Sequence, residues 1–216
     1  EAAMRHQIYA TFMAKPMQNE PGSAMHIHQS IVGLDDGRNV FSDEDDNPTP
    51  LFYAHIAGLQ KYLPSAMALI APNVNSYRRI NRTDVAPINV QWGYDNRTAA
   101  FRVPQASPQS RRIENRVPGA DANPYLAMAA SLACGYLGMI ERLQPTQPWE
   151  GSAHDAPYAL PRSLHDALRT LTSCEALKQV LGERFVTAFV SVKQAEYEAF
   201  FQVISSWERE YLLLNV

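Results

Sequence analysis

The chain has 216 residues, a net charge of −3, 46% hydrophobic residues and 19% charged residues. This length supports one large domain or two small ones. The slight acidity argues against a dedicated nucleic-acid-binding protein, and no apolar run reaches the ~20 residues of a membrane span. Two cysteines, Cys134 and Cys174, are too few for a disulfide scaffold and fit a reducing compartment. The sequence therefore predicts a cytoplasmic protein whose partners include neither nucleic acid nor membrane.

The first part of the chain combines predicted strands with one helix. Residues 6–16 and 24–32 alternate apolar and polar side chains, which is typical of half-buried strands. A helix is predicted over 49–63, because Thr49 is a good N-cap and Pro50 fits the first helical position. Pro64 is expected to end or kink this helix.

Three further strands are predicted at 86–92, 98–104 and 111–117, and the remainder of the chain is mainly helical. A buried helix is predicted over 122–143, since Asn123 and Pro124 form a start signal and the segment is apolar nearly all round. Capping boxes are predicted at 163–166 and 172–175, and Gly182 as a helix C-cap. A long amphipathic helix is predicted from 184 to 214.

Two histidines and a serine share one face of the predicted strand at 24–32. His26, His28 and Ser30 are spaced two apart, and each step covers about 7 Å along a strand. They form a polar stripe where a core strand would be apolar. The two histidines suit a metal site but need a further ligand from elsewhere, and the alternative is a pair of ordinary structural histidines.

A second polar stripe lies in the strand at 111–117, where Arg112, Glu114 and Arg116 share a face. A carboxylate between two guanidinium groups stays ionised, so Glu114 is a candidate ligand for a hard cation. The alternative is an exposed ion-pair ladder, which contributes little. The choice depends on whether Ile113, Asn115 and Val117 face a core.

Arginine is unevenly distributed along the chain. Positions 78–116 contain eight arginines, no lysine and only three acids, Asp84, Asp95 and Glu114. A solvated basic face is one interpretation, but guanidinium groups bind carboxylate and phosphate through two bonds where ammonium groups do not. An anion site is therefore favoured. Together with the candidate metal ligands, these arginines supply what phosphoryl transfer requires.

Four sequence blocks, in order, resemble the catalytic domain of the glutamine synthetase family. They are KPMQNEPGSAMHIHQS (15–30), NSYRRI followed by APINVQW (75–92), NRTAAFRVP (96–104) and RRIENRVPGADANPYLAMAASLACGYLGMI (111–140). The resemblance implies an α+β fold, with a curved, mainly antiparallel sheet flanked by helices and a helical C-terminal third. The whole of residues 1–216 is expected to be a C-terminal catalytic domain, a fragment without the N-terminal domain and the first part of the catalytic domain.

The resemblance also implies a role for individual residues. His26 and Glu114 match metal ligands, and Gly22, Arg79, Arg97 and Arg116 match positions that hold glutamate. His28, Ser30, Arg97, Arg102 and Arg112 match the nucleotide side, and Asp84, Arg97 and Arg102 match catalytic positions. The implied cofactors are ATP and Mg²⁺ or Mn²⁺. The implied substrates are glutamate and an amine or ammonium, joined through an acyl phosphate, and the full-length protein is expected to be a ring-shaped homo-oligomer.

Two departures from the family pattern bear on the acceptor. Asp84 stands where the family has an acceptor-side glutamate, and Gln109 replaces a lysine. Both changes, with LGERFV (181–186) and SSWEREYLL (205–213), resemble the γ-glutamyl-amine ligase branch, of polyamine type. Glutamine synthetase proper, using ammonium, and a non-catalytic assembly module are the alternatives. A guanidino kinase is disfavoured, because such an enzyme does not need the histidine strand.

Overall fold

The computed structural model describes residues 1–82 and 85–215. Four short strands are present: β1 (Ile27–Gln29), β2 (Trp92–Tyr94), β3 (Phe101–Val103) and β4 (Ile113–Asn115). The helices are α1 (Ala2–Arg5), α2 (Pro50–Ile70), α3 (Pro124–Ile140), α4 (Leu164–Ser173), α5 (Glu175–Leu181), α6 (Glu183–Phe201) and α7 (Ser206–Leu212). Short 3₁₀ helices lie at Val74–Arg78, Pro108–Ser110 and Ala153–Asp155.

The four strands form one sheet in the order β1-β4-β3-β2. β4 is antiparallel to both β1 and β3, whereas β2 and β3 are parallel. With helices packed behind it and a helical last third, this sheet confirms the predicted α+β class. β1, β3 and β4 lie within the segments predicted as strands and are shorter than those segments. The strand predicted at 86–92 is mostly wrong, because β2 begins only at Trp92 and runs on to Tyr94.

The strand predicted at 6–16 is wrong, because the structure has no strand there. Ile8 and Phe12 would have formed its apolar side, and they are 61% and 73% exposed. An alternating pattern becomes a strand only where a neighbouring strand satisfies its backbone groups. Within the described residues no strand pairs with this segment.

Helix α2 begins as predicted and continues past the predicted end. Thr49 accepts a hydrogen bond from the backbone N–H of Phe52, and Pro50 occupies the first turn. Pro64 does not end the helix, which runs on to Ile70. The last turns, Ala66 to Ile70, are almost fully buried, and this burial offsets the helical hydrogen bond that proline lacks.

Helix α3 starts at the predicted cap, where the side chain of Asn123 accepts from Tyr125 and Leu126. It packs closely on α2 through glycines, since a Cβ at Gly138 would lie 2.1 Å from the carbonyl oxygen of Ala54. The prediction that α3 is a buried helix is correct only in part. One face stays open to solvent, as shown by exposed fractions of 78% for Tyr125 and 48% for Tyr136.

The C-terminal third is helical but more broken than predicted. Ser163 caps α4 by accepting from Asp166, as expected. The prediction of a capping box at 172–175 is wrong, because Thr172 and Ser173 lie inside α4. Their hydroxyl groups donate hydrogen bonds to backbone carbonyl oxygens of the preceding turn. Gly182, at φ +94°, ends α5 as predicted.

The helix predicted over 184–214 stops at Phe201 and restarts at Ser206. Ser205 and Glu208 form a capping box that starts the second helix, α7. An apolar stripe with helical spacing does not reveal such a break, because it continues in register on both sides. Among the described residues, no helix combines the length and the apolarity needed to cross a bilayer.

Candidate active site

One face of the sheet presents a row of polar side chains. In the register of the sheet, Glu114 on β4 lies between His28 on β1 and Arg102 on β3. On the opposite face Ile113, Asn115 and Val117 are fully buried. The stripe at 111–117 is therefore not an exposed ladder, because its alternate residues face the core and Glu114 itself is only 3% exposed.

Glu114 is the centre of the site. Its Oε2 accepts from Arg102 at 2.7 Å, its Oε1 accepts from Arg116 at 3.0 Å, and Nδ1 of His26 lies 2.9 Å from Oε1. Burial alone would raise the pKa of Glu114. The hydrogen bond from Arg102 and the charges of Arg116, Arg102 and His26 outweigh burial and hold this pKa below its usual value.

His26 directly precedes β1, and its side chain is 35% exposed. Burial and the positive charge of Arg116 lower its pKa, and the nearby Glu114 opposes this shift only in part. The imidazole is therefore mainly neutral at physiological pH. A neutral imidazole beside an ionised carboxylate is the form in which both side chains act as ligands.

A cavity of about 310 Å³ opens beside His26 and Arg116. Gly22 and Arg79 line it as well, so the structure brings together three of the predicted glutamate-binding residues and one predicted metal ligand. Arg79 is 3% exposed and donates to the carbonyl oxygen of Val117. A Cβ at Gly22 would lie 2.6 Å from Cγ of Arg79, so glycine is needed for this close approach.

Two of the predicted nucleotide-side residues meet at the outer edge of the sheet. Nε of Arg112 donates to Nδ1 of His28 at 3.2 Å, which leaves Nε2 of His28 as the donor. Ser30 follows directly after β1 and is exposed. These three residues form a polar edge next to Glu114.

Two predicted catalytic residues are not part of this cluster. Arg97 follows β2 and is exposed, and no hydrogen bond or ion pair joins its side chain to Glu114 or to the other described site residues. Asp84 lies outside the described residues. Of the three residues predicted as catalytic, the structure therefore places only Arg102 next to Glu114.

The prediction from sequence missed Asp95. Its Oδ1 accepts from Nε of Arg102 at 3.1 Å, on the side away from Glu114, so this guanidinium group is held between two carboxylates. Asp95 has φ +51°, a left-handed conformation that aspartate tolerates better than most residues. The Asp-Asn pair at 95–96 signals a turn, but nothing in the sequence pairs that turn with Arg102 on β3.

The donor set of the cluster supplies part of a site for a divalent cation. Nδ1 of His26 and Oε1 of Glu114 are close enough to bind one ion together. The carboxylate oxygen suits Mg²⁺ or Mn²⁺, whereas an imidazole nitrogen is a ligand more typical of transition metals, so the pair suits Mn²⁺ better than Mg²⁺. No group of three or more histidine, cysteine or acidic residues able to hold a metal occurs within 1–82 and 85–215. Two ligands fit, and the remaining ones have to come from solvent, substrate or other parts of the protein.

Comparisons with known proteins place the chain in a family. The family model described as glutamine synthetase, catalytic domain, matches residues 1–212. The γ-glutamylputrescine synthetase PuuA of Escherichia coli K12 is 40% identical over 216 residues, which cover 99% of this chain and 45% of that protein. Glutamate–isopropylamine ligase of a Pseudomonas species is 35% identical, covering 96% of this chain and 46% of that protein.

Further matches extend the comparison to a glutamine synthetase and to solved structures. The glutamine synthetase of Thermococcus kodakarensis is 37% identical and covers 93% of this chain and 46% of that protein. A solved structure of GmaS without ligand superposes with a TM-score of 0.86 at 35% identity, covering 98% of this chain and 49% of that one. This chain thus spans about half the length of the proteins it matches, and it belongs to the glutamine synthetase family.

Proposed function

We propose that residues 1–216 are the C-terminal catalytic domain of an ATP-dependent ligase that joins the γ-carboxylate of glutamate to an amine. One observation carries the proposal: the buried carboxylate of Glu114 is surrounded by Arg102, Arg116 and His26, beside a cavity lined by arginine. Membership of the glutamine synthetase family supports it, because members of that family are ATP-dependent ligases.

The reaction has two balanced steps. An oxygen of the γ-carboxylate attacks the γ-phosphorus of ATP, which gives γ-glutamyl phosphate and ADP. The amine nitrogen then attacks the acyl carbon, inorganic phosphate leaves, and the amine gives up a proton. We assign Asp84 as the acceptor of that proton, on its position in the sequence.

Arginine side chains have the main role in the first step. Arg102, with Arg97, stabilises negative charge that develops on the transferring phosphoryl group, and Arg79 and Arg116 hold glutamate in the cavity beside Gly22. His28, Ser30 and Arg112 contact the nucleotide. A bound Mg²⁺ or Mn²⁺, held in part by His26 and Glu114, supplies Lewis-acid stabilisation of the phosphates.

The acceptor we propose is an organic amine of the polyamine type. The γ-glutamylputrescine synthetase and the glutamate–isopropylamine ligase among the relatives favour an amine. The second candidate is ammonium, because the Thermococcus kodakarensis relative is a glutamine synthetase at similar identity. Replacement of the family's glutamate by the shorter Asp84 is the local feature that favours the larger acceptor.

Release of ADP tests both the reaction and the acceptor. Full-length protein is supplied with ATP, Mg²⁺ and glutamate, and ADP is measured with ammonium, putrescine and monoamines in parallel. Glutamate-dependent release with putrescine or a monoamine is expected. No release above background with any acceptor contradicts the ligase, and release with ammonium alone contradicts the amine as acceptor.

A matched pair of arginine variants tests the site. Arg102→Lys keeps the charge but loses the two-pronged geometry that contacts Glu114 and Asp95, and a fall in kcat of at least 100-fold is expected. Arg169→Lys, at an exposed position of α4, is the control and is expected to keep wild-type turnover. Equal turnover in the two variants rules out Arg102 as a catalytic group.

The full-length protein is further proposed to be a ring-shaped homo-oligomer, and it is proposed to be cytoplasmic. Light scattering on the purified full-length protein measures its mass. A monomeric mass at working concentrations contradicts the ring.

A further inference from the structure

Directly behind the site, four buried polar side chains form one cluster. Gln29 on β1, His55 on α2, Asn115 on β4 and Ser131 on α3 are each at most 5% exposed, and we name them the buried polar cluster. Because side chains alternate along a strand, Gln29 faces the core beside the outward-facing His28, and Asn115 faces the core beside Glu114. The cluster thus joins both site strands to both helices behind them.

The hydrogen bonds of the buried polar cluster run in one direction. The backbone N–H of Val117 can only donate, so Oδ1 of Asn115 faces it at 3.2 Å, and Nδ2 of Asn115 donates to Ser131 at 2.9 Å. The Ser131 hydroxyl then donates to Oε1 of Gln29. This leaves Nε2 of Gln29 to donate to Nε2 of His55 at 3.1 Å. A fixed backbone donor therefore sets the orientation of each amide in turn.

The same chain fixes the tautomer of His55. Nε2 accepts a hydrogen bond, so the proton of the neutral imidazole is on Nδ1, which is buried and has no hydrogen-bond partner in the part of the chain that the structure describes. The ring is packed against α3, where a Cβ on Gly135 would lie 2.1 Å from its Cε1 atom. His55 is therefore the last member of this chain of hydrogen bonds, and its ring is held by close packing against α3.

The strands of the site are short. Among the described residues, β1 and β4 share three residue pairs, Ile27 with Asn115, His28 with Glu114 and Gln29 with Ile113, and one isolated bridge, between Ala24 and Gly119, extends the pairing. A slip of one residue would turn Glu114 into the core and bring Asn115 to the site face. Such a slip would separate Gln29 and Asn115 from Ser131 and leave buried polar groups unsatisfied, which is costly.

We propose that the buried polar cluster is a set of positioning residues, which lock β1 and β4 in the register that presents His26, His28 and Glu114 together on the site face. The hydrogen bonds stand on the structure alone. Their consequence for turnover rests on the proposed ligase function, so the test has one readout that needs activity and one that does not.

The test compares two buried substitutions in α3 of the full-length protein. Ser131→Ala removes the centre of the chain, and Cys134→Ala, fully buried one turn later and outside the cluster, is the control for lost packing. Ser131→Thr keeps the hydroxyl and serves as the rescue variant. Hydrogen–deuterium exchange is followed in peptides covering 24–32 and 111–119, and kcat and the apparent KM for Mg²⁺ and ATP are measured separately.

Ser131→Ala is expected to speed exchange in both peptides at least tenfold and to raise the apparent KM for Mg²⁺ at least tenfold. Cys134→Ala and Ser131→Thr are expected to stay within twofold of wild type. Exchange that is equal in Ser131→Ala and Cys134→Ala overturns the inference, whether or not the protein is active. If the unmutated protein is folded, as its exchange pattern shows, but releases no ADP, the proposed function alone is contradicted. If Ser131→Ala does not yield folded protein, Gln29→Met, of similar length and without hydrogen bonds, carries the same expectation.

Discussion

Replacing Glu114 by glutamine is expected to destabilise the protein far more than the loss of one surface charge. The carboxylate is 4% exposed as a side chain, and the two arginines that contact it are 17% and 13% exposed. At about 4 Å between charge centres, and with an effective dielectric constant of about 20, each pair contributes about 4 kcal/mol of attraction before desolvation. Glu114→Gln keeps the shape and removes this attraction from Arg102 and Arg116 together.

The net effect is smaller than the summed attraction, because both arginines regain some hydration when the pair is broken. Breaking a buried ion pair from one side typically costs about 3–5 kcal/mol, and we expect a loss in that range for Glu114→Gln. In Glu114→Gln the two arginines repel each other across a neutral amide, which adds to the loss. Urea unfolding in the presence of EDTA measures this loss without any contribution from a bound cation.

A matched control is available in the pair between Lys61 and Glu141. Its N–O distance is also 2.7 Å, but the two side chains are 50% and 32% exposed, and the carbonyl oxygen of a glutamine can keep the hydrogen bond that Glu141 accepts from Tyr62. Glu141→Gln is therefore expected to cost no more than about 1 kcal/mol. Equal losses in the two variants would refute the reasoning, since they would show that burial adds nothing to the arginine contacts of Glu114.

Three further predictions address the metal, the buried histidine and the helix packing. His26→Ala is expected to lower metal-dependent turnover at least 100-fold with little change in melting temperature, because the side chain is 35% exposed; unaltered turnover at saturating Mg²⁺ would exclude it as a ligand. Burial lowers the pKa of His55 from 6.5 to about 4. Between these two pH values the unfolded chain binds a proton at His55 and the folded protein does not, so the free energy of unfolding falls by up to about 3 kcal/mol as the pH drops from 6.5 to 4. Urea midpoints in His55→Asn that keep the full wild-type slope over this window would contradict that assignment. Gly138→Ala is expected to cost about 3 kcal/mol in thermal unfolding, since its Cβ would meet the Ala54 carbonyl at 2.1 Å; a loss below ~0.5 kcal/mol would show that α2 and α3 can separate freely.

Local signals predicted the parts of the fold that depend on local chemistry. Thr49 and Asn123 cap α2 and α3 where the sequence places them, because a cap needs only a side-chain oxygen and the next few N–H groups. The shared face of Arg112, Glu114 and Arg116 follows from the two-residue period of a strand. Such features require no knowledge of distant parts of the chain.

Features that depend on distant residues were not predicted. Which strands pair, and so the contact of Arg102 with Glu114, is set by the sheet order and not by spacing. The segment 6–16 has a strand pattern, but no described strand lies beside it to pair with. Arg97 belongs to the arginine-rich segment 78–116 but does not contact Glu114, as Arg102 and Arg116 do. The buried polar cluster was missed for the same reason, because its four members come from four elements.

The arginines on the site face also bear on how quickly anionic ligands arrive. Arg102, Arg112 and Arg116 on the site face outnumber Glu114 and Asp95, so this face carries a small positive excess in a chain whose net charge is −3. A positive excess at a binding face raises the encounter rate of an anionic ligand, and this gain falls steeply with ionic strength. Anionic ligands would be guided toward the face that carries Glu114 before any direct contact forms, and added salt would slow their capture more than their departure.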